Sequence, residues 1–147
     1  MDYSLLCKQL DGLLEDTENT VSKLSNAAAL LYHSLEDVSW AGFYLTEGDR
    51  LVLGPFQGKP ACTVISFGKG VCGTAAAEKK TQLVENVHLF SGHIACDSAS
   101  NSEIVVPIFK EGEVFGVLDI DSTSLSRFTV QDKEGLEAAV KIIEANL

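Results

Sequence analysis

The stretch IVVPIFKEGEVFGVLDID, residues 104–121, decides the fold of this 147-residue chain. It consists of two apolar runs, Ile104–Phe109 and Val114–Asp121, joined by the polar segment Lys110–Glu113. Apolar runs of this length on either side of a short glycine-containing segment predict two antiparallel strands and a hairpin turn. An antiparallel sheet is therefore the expected centre of the fold.

Strand alternation assigns the side chains of the second run to two faces of that sheet. One face carries Phe115, Val117, Asp119 and Asp121. The other face is assigned to the core and carries Val114, Leu118 and Ile120. Two carboxylates on a partly apolar face predict the floor of a pocket rather than a solvated surface.

The register of the hairpin decides whether Glu103 joins these two acids. A two-residue loop would pair Glu103 with Ile120 and point it away, whereas a three-residue or bulged loop would set it opposite Asp119. Like charges opposite one another destabilise a sheet, so such a cluster implies a bound cation or a shared proton. The alternative is three exposed acids near the end of a hairpin.

Apolar residues recur at helical spacing near both ends of the chain. They are Leu6, Leu10, Leu13 and Leu14; Val21, Leu24, Ala28, Leu31 and Leu35; and Val130, Leu136, Ala139, Val140, Ile143 and Leu147. Thr129 and Asp132 resemble a capping box at the start of the last helix.

Shorter segments fill the middle of the chain. They predict strands at Val38–Leu45, Leu51–Leu53, Cys62–Phe67 and Thr81–Val84, a helix at Val71–Ala77, and a long loop at 85–101. The order predicts an α+β fold. We expect a central antiparallel sheet with the N- and C-terminal helices on one face and a loop-covered pocket on the other.

Length and composition bound the class of protein. The chain fits one domain, residues 1–147, and a net charge of −10 disfavours nucleic acid and anionic membrane as partners. No signal peptide or membrane span is apparent, so a cytoplasmic location is expected. In a reducing compartment, cysteines are more often reduced, catalytic or metal-bound than joined in structural disulfides.

Cys72 lies in Gly68-Lys-Gly-Val-Cys-Gly73, where the short helix is expected to begin. A helix N-terminus stabilises a thiolate and lowers the pKa of the thiol. The six residues also match GxGxxG, but a dinucleotide site requires a βαβ unit, and the surroundings are predicted to be antiparallel. A plain glycine turn with a small residue after it is an equal alternative for Cys72.

Two other cysteines and two aromatic residues are further candidates. Cys96, on the predicted loop beside His93, is a candidate nucleophile or else a buried anchor of the loop. Cys62, Cys72, Cys96 and His93 lack the close CxxC or HxxxH spacing that is typical of a zinc site. Trp40 and Tyr44 share one face of the first predicted strand, where they either wall a pocket or belong to the core. Cys7 is expected to pack as a small apolar group on the first helix.

Seven segments, taken in order, resemble the free methionine-(R)-sulfoxide reductases, which are stand-alone GAF-domain enzymes. The segments are Trp40–Tyr44, Gly54–Gly58, Cys62, Gly68–Thr74, His93–Asp97, Ser102–Pro107 and Gly116–Ser122. The resemblance extends from about Leu14 to Ile143, and Cys7 falls outside it.

The resemblance implies thiol-dependent reduction of free L-methionine-(R)-sulfoxide, with no cofactor or resident metal. Cys96 matches the nucleophile, which becomes a sulfenic acid; Cys62 matches the resolving thiol that forms a disulfide with it; and Cys72 matches a third redox cysteine. A thioredoxin-type dithiol would then restore the enzyme.

The resemblance also gives the pocket residues a use. Glu103, Asp119 and Asp121 match the substrate-binding carboxylates, which can bind the ammonium of a free amino acid. Trp40 and Tyr44 would hold the thioether methyl, and backbone N–H groups near Val71–Gly73 would receive the substrate carboxylate. A homodimer is possible for this fold.

Two alternatives come from other classes of protein. GAF domains often act as sensors that bind a small ligand without turning it over, and a fold alone does not settle function. A zinc-bound structural module is the other alternative.

Overall fold

The computed structural model describes residues 1–92 and 99–147. In this part of the chain, helices and strands follow the order α1 (Tyr3–Leu14), α2 (Thr20–Ser34), β1 (Trp40–Glu47), β2 (Arg50–Gln57), β3 (Val64–Ser66), α3 (Gly70–Glu78), β4 (Gln82–Val84), β5 (Ser102–Lys110), β6 (Glu113–Ser122) and α4 (Val130–Ala145). A single 3₁₀ turn, Val87–Leu89, lies in the segment predicted to be a loop. The six strands form one sheet in the order β3-β2-β1-β6-β5-β4.

Every described strand pairing is antiparallel, which confirms the predicted fold class. Strand β2 is longer than predicted because it continues through Gly54 and Pro55 to Gln57. The register against β1 shifts at this point. Proline is tolerated in a sheet at such a bulge, where no ladder hydrogen bond is lost. Strand β3 is shorter than predicted, so Cys62 lies in the segment that precedes it.

One face of the sheet is covered by α1, α2 and α4, as predicted. The two layers enclose a large apolar core, whose largest fully buried members include Leu10, Leu31, Phe43, Ile104 and Leu118. Burial of such side chains stabilises the fold by about 1.5–3 kcal/mol each. Most of the stabilising apolar burial therefore lies on this face.

The other face of the sheet is covered by α3 and carries a second, smaller cluster. Trp40, Tyr44, Val105 and Val117 contribute to it from the strands, and Cys72 contributes from α3. The predicted arrangement, with terminal helices on one face and the pocket on the other, is confirmed.

A bulge near the β5–β6 turn changes which side chains face the helices. The turn itself is the short one, since Lys110 pairs with Glu113 and both Glu111 and Gly112 have positive φ, as a two-residue hairpin of this type requires. Between Ile108 and Phe109 the register shifts, which leaves one extra residue on β6. As a result, Phe115 packs against the helix-side core and Val114 against the pocket-side cluster, so the sequence-based assignment of these two residues was wrong.

The N-terminus of α4 is tied to α1 by polar contacts. The predicted capping box of Thr129 and Asp132 is present. In addition, the Tyr3 hydroxyl donates a hydrogen bond of 2.6 Å to Asp132, and Arg127 lies 3.2 Å from the same carboxylate. Two helices that are far apart in sequence are therefore joined at one carboxylate.

Within residues 1–92 and 99–147, no helix has both the length and the apolar character that crossing a membrane requires.

Candidate functional site: a buried acidic pocket beside a thiol

A pocket opens between the sheet and α3, on the face opposite the terminal helices. Its floor is formed by side chains of β5 and β6, one wall by aromatic residues of β1, and the opposite wall by the first turn of α3. Cys72, Glu103, Asp119 and Asp121 are all among the lining residues. The structure therefore brings together carboxylates and a thiol that are separated by up to 49 positions in sequence, from Cys72 to Asp121.

The three acids share the floor because of the β5–β6 register. Glu103 lies opposite Asp121, and Val105 lies opposite Asp119. Neither register considered for the hairpin was right in detail: the two-residue turn is present, but the bulge shifts the pairing by one residue and keeps Glu103 on the pocket face. The three side chains are only 5–9% exposed, which excludes the alternative of solvated surface acids.

Burial and proximity make this floor electrostatically costly. Removal from water, followed by the charges of Asp119 and Asp121, raises the pKa of Glu103 well above its ordinary value. Among the described residues, the ion pairs Arg50–Glu47 and Arg127–Asp132 lie elsewhere, and Oδ1 of Asp119 is buried with no hydrogen-bond partner. A buried polar atom without a partner indicates a place for a ligand.

Cys72 differs from its prediction in the direction of its pKa shift. It is the third residue of α3, near the predicted helix start, and it is buried. Its Sγ lies 3.8 Å from Oε2 of Glu103. Burial, followed by the charges of Asp119 and Glu103, raises the pKa of this thiol well above its ordinary value, which contradicts the predicted lowering. The helix N-terminus cannot offset the loss of water and three neighbouring acids.

Trp40 and Tyr44 stand along one wall of the pocket. The two rings are stacked with centroids 6.0 Å apart, and Trp40 stacks on Phe56 at 5.1 Å. The indole N–H donates to the carbonyl of Lys59, and the Tyr44 hydroxyl donates to the carbonyl of Cys62 at 2.8 Å. Burial and the nearby acids, Asp119 first, raise the pKa of Tyr44. Both rings are held firmly, because their polar atoms are satisfied by the segment that carries Cys62.

Close packing of β1 on β2 fixes this aromatic wall. A Cβ atom at Gly42 would lie 2.3 Å from Cβ of Phe56 and 2.9 Å from the Trp40 ring. Only glycine therefore allows β2 to approach β1 closely enough for Phe56 to stack on Trp40.

The remaining cysteines fall into distinct groups. Cys62 is half-buried and disulfide-bonded, whereas Cys7 and Cys72 have free thiols. Cys7 packs at the edge of the helix-side core, as expected. Cys96, the predicted nucleophile, and His93 lie outside the described residues. The zinc site that was considered in the sequence included both of them.

Sequence reasoning missed Ser100. Its side chain lines the pocket, is only 6% exposed, and has an Oγ with no hydrogen-bond partner in the described part of the chain. Ser100 precedes β5 in a segment without any periodicity, so no pattern in the sequence could have revealed it.

Comparison with known proteins identifies the class and then the family. A family model described as GAF domain matches residues 9–147, so fold and pocket together define a GAF-domain protein. The free methionine-R-sulfoxide reductase of Escherichia coli is 52% identical over 142 residues, covering 97% of this chain and 86% of that protein.

Two solved structures support the same family. The reduced form of fRMsr of Staphylococcus aureus has a TM-score of 0.96 at 57% identity and covers 99% of this chain and 95% of its own. The free methionine-R-sulfoxide reductase from Neisseria meningitidis, in complex with its substrate, has a TM-score of 0.95 at 44% identity, with coverages of 98% and 87%. The chain belongs to the free methionine-R-sulfoxide reductase family of GAF-domain proteins.

Proposed function

We propose that this protein reduces free L-methionine-(R)-sulfoxide to L-methionine. The observation that carries the proposal is the convergence of three buried carboxylates and a thiol on the floor of a pocket with an aromatic wall. Two relatives named free methionine-R-sulfoxide reductase, at 52% and 50% identity, support the same reaction. An acidic pocket suits a free amino acid, because its ammonium is absent when methionine is part of a peptide chain.

The chemistry that we propose uses two cysteines in sequence. The thiolate of Cys96 attacks the sulfoxide sulfur, and two protons convert the sulfoxide oxygen into water as the S–O bond breaks, which leaves a sulfonium with methionine bonded through its sulfur to Cys96. A water molecule then attacks Sγ of Cys96, so that the S–S bond breaks, methionine and one proton are released, and Cys96 becomes a sulfenic acid. The thiol of Cys62 then displaces water from that sulfenic acid, which gives a disulfide. The disulfide bond of Cys62 supports this assignment, since Cys7 and Cys72 have free thiols.

The acids are proposed to have two tasks. Asp119 and Asp121 would bind the ammonium by charge-assisted hydrogen bonds, for which Oδ1 of Asp119 has no competing partner among the described residues. Burial and the two aspartates raise the pKa of Glu103, which favours its protonated form, and Glu103 would donate the proton to the sulfoxide oxygen. The two aspartates would thereby bind the cationic group while Glu103 supplies a proton.

The two ends of the substrate would be held by opposite walls. Trp40 and Tyr44 offer an apolar surface to the thioether methyl group. The first turn of α3 lines the pocket, and its backbone N–H groups at Val71–Gly73 would receive the substrate carboxylate. The N–H of Gly70 has another role, since it donates to the carbonyl of Gly92. The substrate would therefore lie between the aromatic wall and the helix.

Four further features belong to the proposal. Residues 1–147 form a single domain, the protein acts in the cytoplasm, and a thioredoxin-type dithiol reduces the disulfide.

The fourth is a homodimer through the N-terminal helices, for which the exposed Leu5 and Leu13 of α1 offer an apolar surface. Sedimentation of the purified protein at several concentrations tests the dimer.

The decisive experiment compares four substrates in a thioredoxin- and NADPH-coupled assay: both epimers of free methionine sulfoxide and both epimers of its N-acetyl derivative. We expect turnover of the free R epimer and strongly reduced turnover once the ammonium is blocked. Equal rates on the free and N-acetylated R epimers would refute the proposed substrate class. Tight binding of the free sulfoxide without turnover would favour the sensor function instead.

Variants of the cysteines test the assignment of the nucleophile. Cys96→Ser should lower kcat/KM by about 10³-fold or more, because the attacking thiolate is lost. Cys7→Ser is the matched control, since Cys7 lies on α1, which contributes no side chain to the pocket, and should leave kcat/KM unchanged. Near-normal activity of Cys96→Ser would contradict the mechanism.

A further inference from the structure

One corner of the pocket combines a thiol with carboxylates. The Sγ of Cys72 and carboxylate oxygens of Glu103 and Asp119 lie within 4.8 Å of one another, and all three side chains are buried. They come from α3, β5 and β6, respectively. Their arrangement is therefore set by regular secondary structure.

The distances suit a tetrahedral metal ion. Zinc binds thiolate sulfur at about 2.3 Å and carboxylate oxygen at about 2.0–2.2 Å, so two donors on one tetrahedral ion are about 3.5 Å apart. The separation of Cys72 Sγ from Glu103 Oε2 is 3.8 Å, which a small side-chain rotation would close. One sulfur with oxygen donors suits Zn²⁺ or Cd²⁺, whereas Mg²⁺ and Ca²⁺ prefer oxygen alone.

Two buried polar atoms in the same pocket indicate independently that a ligand belongs there. Oδ1 of Asp119 and Oγ of Ser100 have no hydrogen-bond partner among the described residues, although the two side chains are 5% and 6% exposed. Ser100 is outside the cluster of thiol and carboxylates and lines the same cavity. A bound cation would satisfy the aspartate oxygen.

The size of the cavity fits an ion. Its volume is about 40 Å³ in the form where Cys62 is disulfide-bonded. A cavity needs about 10–15 Å³ of such volume for one water molecule, so there is room for a metal ion together with water ligands.

We propose that Cys72, Glu103 and Asp119 form a binding site for a thiophilic divalent cation, Zn²⁺ or Cd²⁺, at the floor of the pocket. The site does not depend on the proposed reduction, because Cys72 keeps a free thiol while Cys62 is in its disulfide. Binding can therefore be measured in the oxidised protein without any turnover.

The experiment is a Cd²⁺ titration of oxidised Cys7→Ser protein, followed by the ultraviolet charge-transfer absorption of cadmium thiolate. We expect one Cd²⁺ per chain and a thiolate band that saturates with it. Cys72→Ser and Cys72→Ala in the same background should both abolish the band, and circular dichroism shows whether each variant is folded. Two replacements are used so that the result does not depend on how one of them packs.

A pair of carboxylate variants sharpens the assignment. Asp119→Asn should weaken Cd²⁺ binding by at least about tenfold, the loss that even outer-shell partners of a metal cause. Glu113→Gln is the matched control, because it removes an exposed carboxylate from the same strand and should leave the affinity unchanged. Absence of a thiolate band in the oxidised Cys7→Ser protein, or a band that survives both Cys72 variants, would overturn the proposal.

Discussion

The two faces of the central sheet are built from the same strands, but their side chains meet opposite conditions. Leu118 and Asp119 are neighbours on β6: Leu118 faces the apolar core under the terminal helices, and Asp119 faces the pocket. Both are almost completely buried. On the helix side the core is apolar, and the buried carboxylate of Asp132 at the start of α4 is paired with Tyr3 and Arg127. On the pocket side carboxylates and a thiol are crowded together, without an ion pair to Glu103 or Asp119 in the described residues.

This difference teaches that stability and chemistry are divided between the faces. Apolar burial on the helix side supplies free energy of folding. Burial of like charges on the pocket side opposes folding and prepares binding of a cationic group. Substitutions on alternate residues of one strand should therefore separate the two properties, and the predictions below test that separation.

The largest expected effect comes from Leu118→Ala on the helix side. Removing a fully buried leucine side chain should lower the free energy of unfolding by about 2–5 kcal/mol, through lost transfer energy and a cavity. Urea unfolding measures this loss. At a temperature where the variant is folded, its kcat/KM should equal that of the wild type; a large fall there would show that the two faces are coupled.

The adjacent substitution Asp119→Asn should show the reverse behaviour. Loss of one charge-assisted hydrogen bond to the ammonium costs about 1.5–3 kcal/mol, so kcat/KM should fall by roughly 10- to 150-fold. The free energy of unfolding should not decrease, because a buried charge among like charges is removed. Unchanged kcat/KM would eliminate the ammonium-binding role, and a marked loss of stability would contradict the division between the faces.

The bulge in β6 makes Phe115→Ala informative. Because Phe115 is half-buried against the helix-side core, the variant should lose about 1–2 kcal/mol of stability, less than the 3–5 kcal/mol typical of a fully buried phenylalanine. Its KM should be unchanged. A raised KM with normal stability would instead favour the unbroken alternation that the sequence predicts.

The smallest effect is expected from Asp132→Asn, on the helix side and far from the pocket. Burial alone would raise the pKa of Asp132, but hydrogen bonds from Tyr3 and Thr129 and the charge of Arg127 outweigh it, so the pKa lies below the ordinary 3.8. The ionised form is thus favoured in the folded state, and its contribution is present above pH 3.8 and lost as the pH falls through the depressed pKa.

The variant should therefore be less stable than the wild type by about 0.5–2 kcal/mol at pH 7, and the difference should shrink at pH values below 3.8. Urea unfolding at several pH values measures it. A difference that is independent of pH would show that the carboxylate charge is not what stabilises this helix start.

Much of the fold could be predicted because local patterns and tertiary structure agree. The spacing of Leu6, Leu10 and Leu14 marks the buried stripe of α1, and the alternation of Asp119 and Asp121 places both acids on the pocket face. Both patterns depend only on the period of a helix or a strand.

Three features of the structure could not be predicted from the sequence, because they depend on long-range packing or on small local energy differences. The bulge at Phe115 exchanges two side chains between faces, and nothing in the alternation signals it. The raised pKa of Cys72 arises because β5 and β6 bring acids against α3, which a local helix argument cannot include. Ser100 becomes part of the pocket only through the path of the chain before β5.

Trp40 is the only tryptophan of the chain, and its indole forms part of the pocket wall. Its fluorescence therefore comes entirely from this site. Because the ring stacks on Phe56 and donates to the carbonyl of Lys59, displacement of the neighbouring segment that carries Cys62 should change the emission. The protein thus contains an intrinsic optical reporter, which allows reduction of the disulfide and arrival of a ligand to be followed in real time without a label.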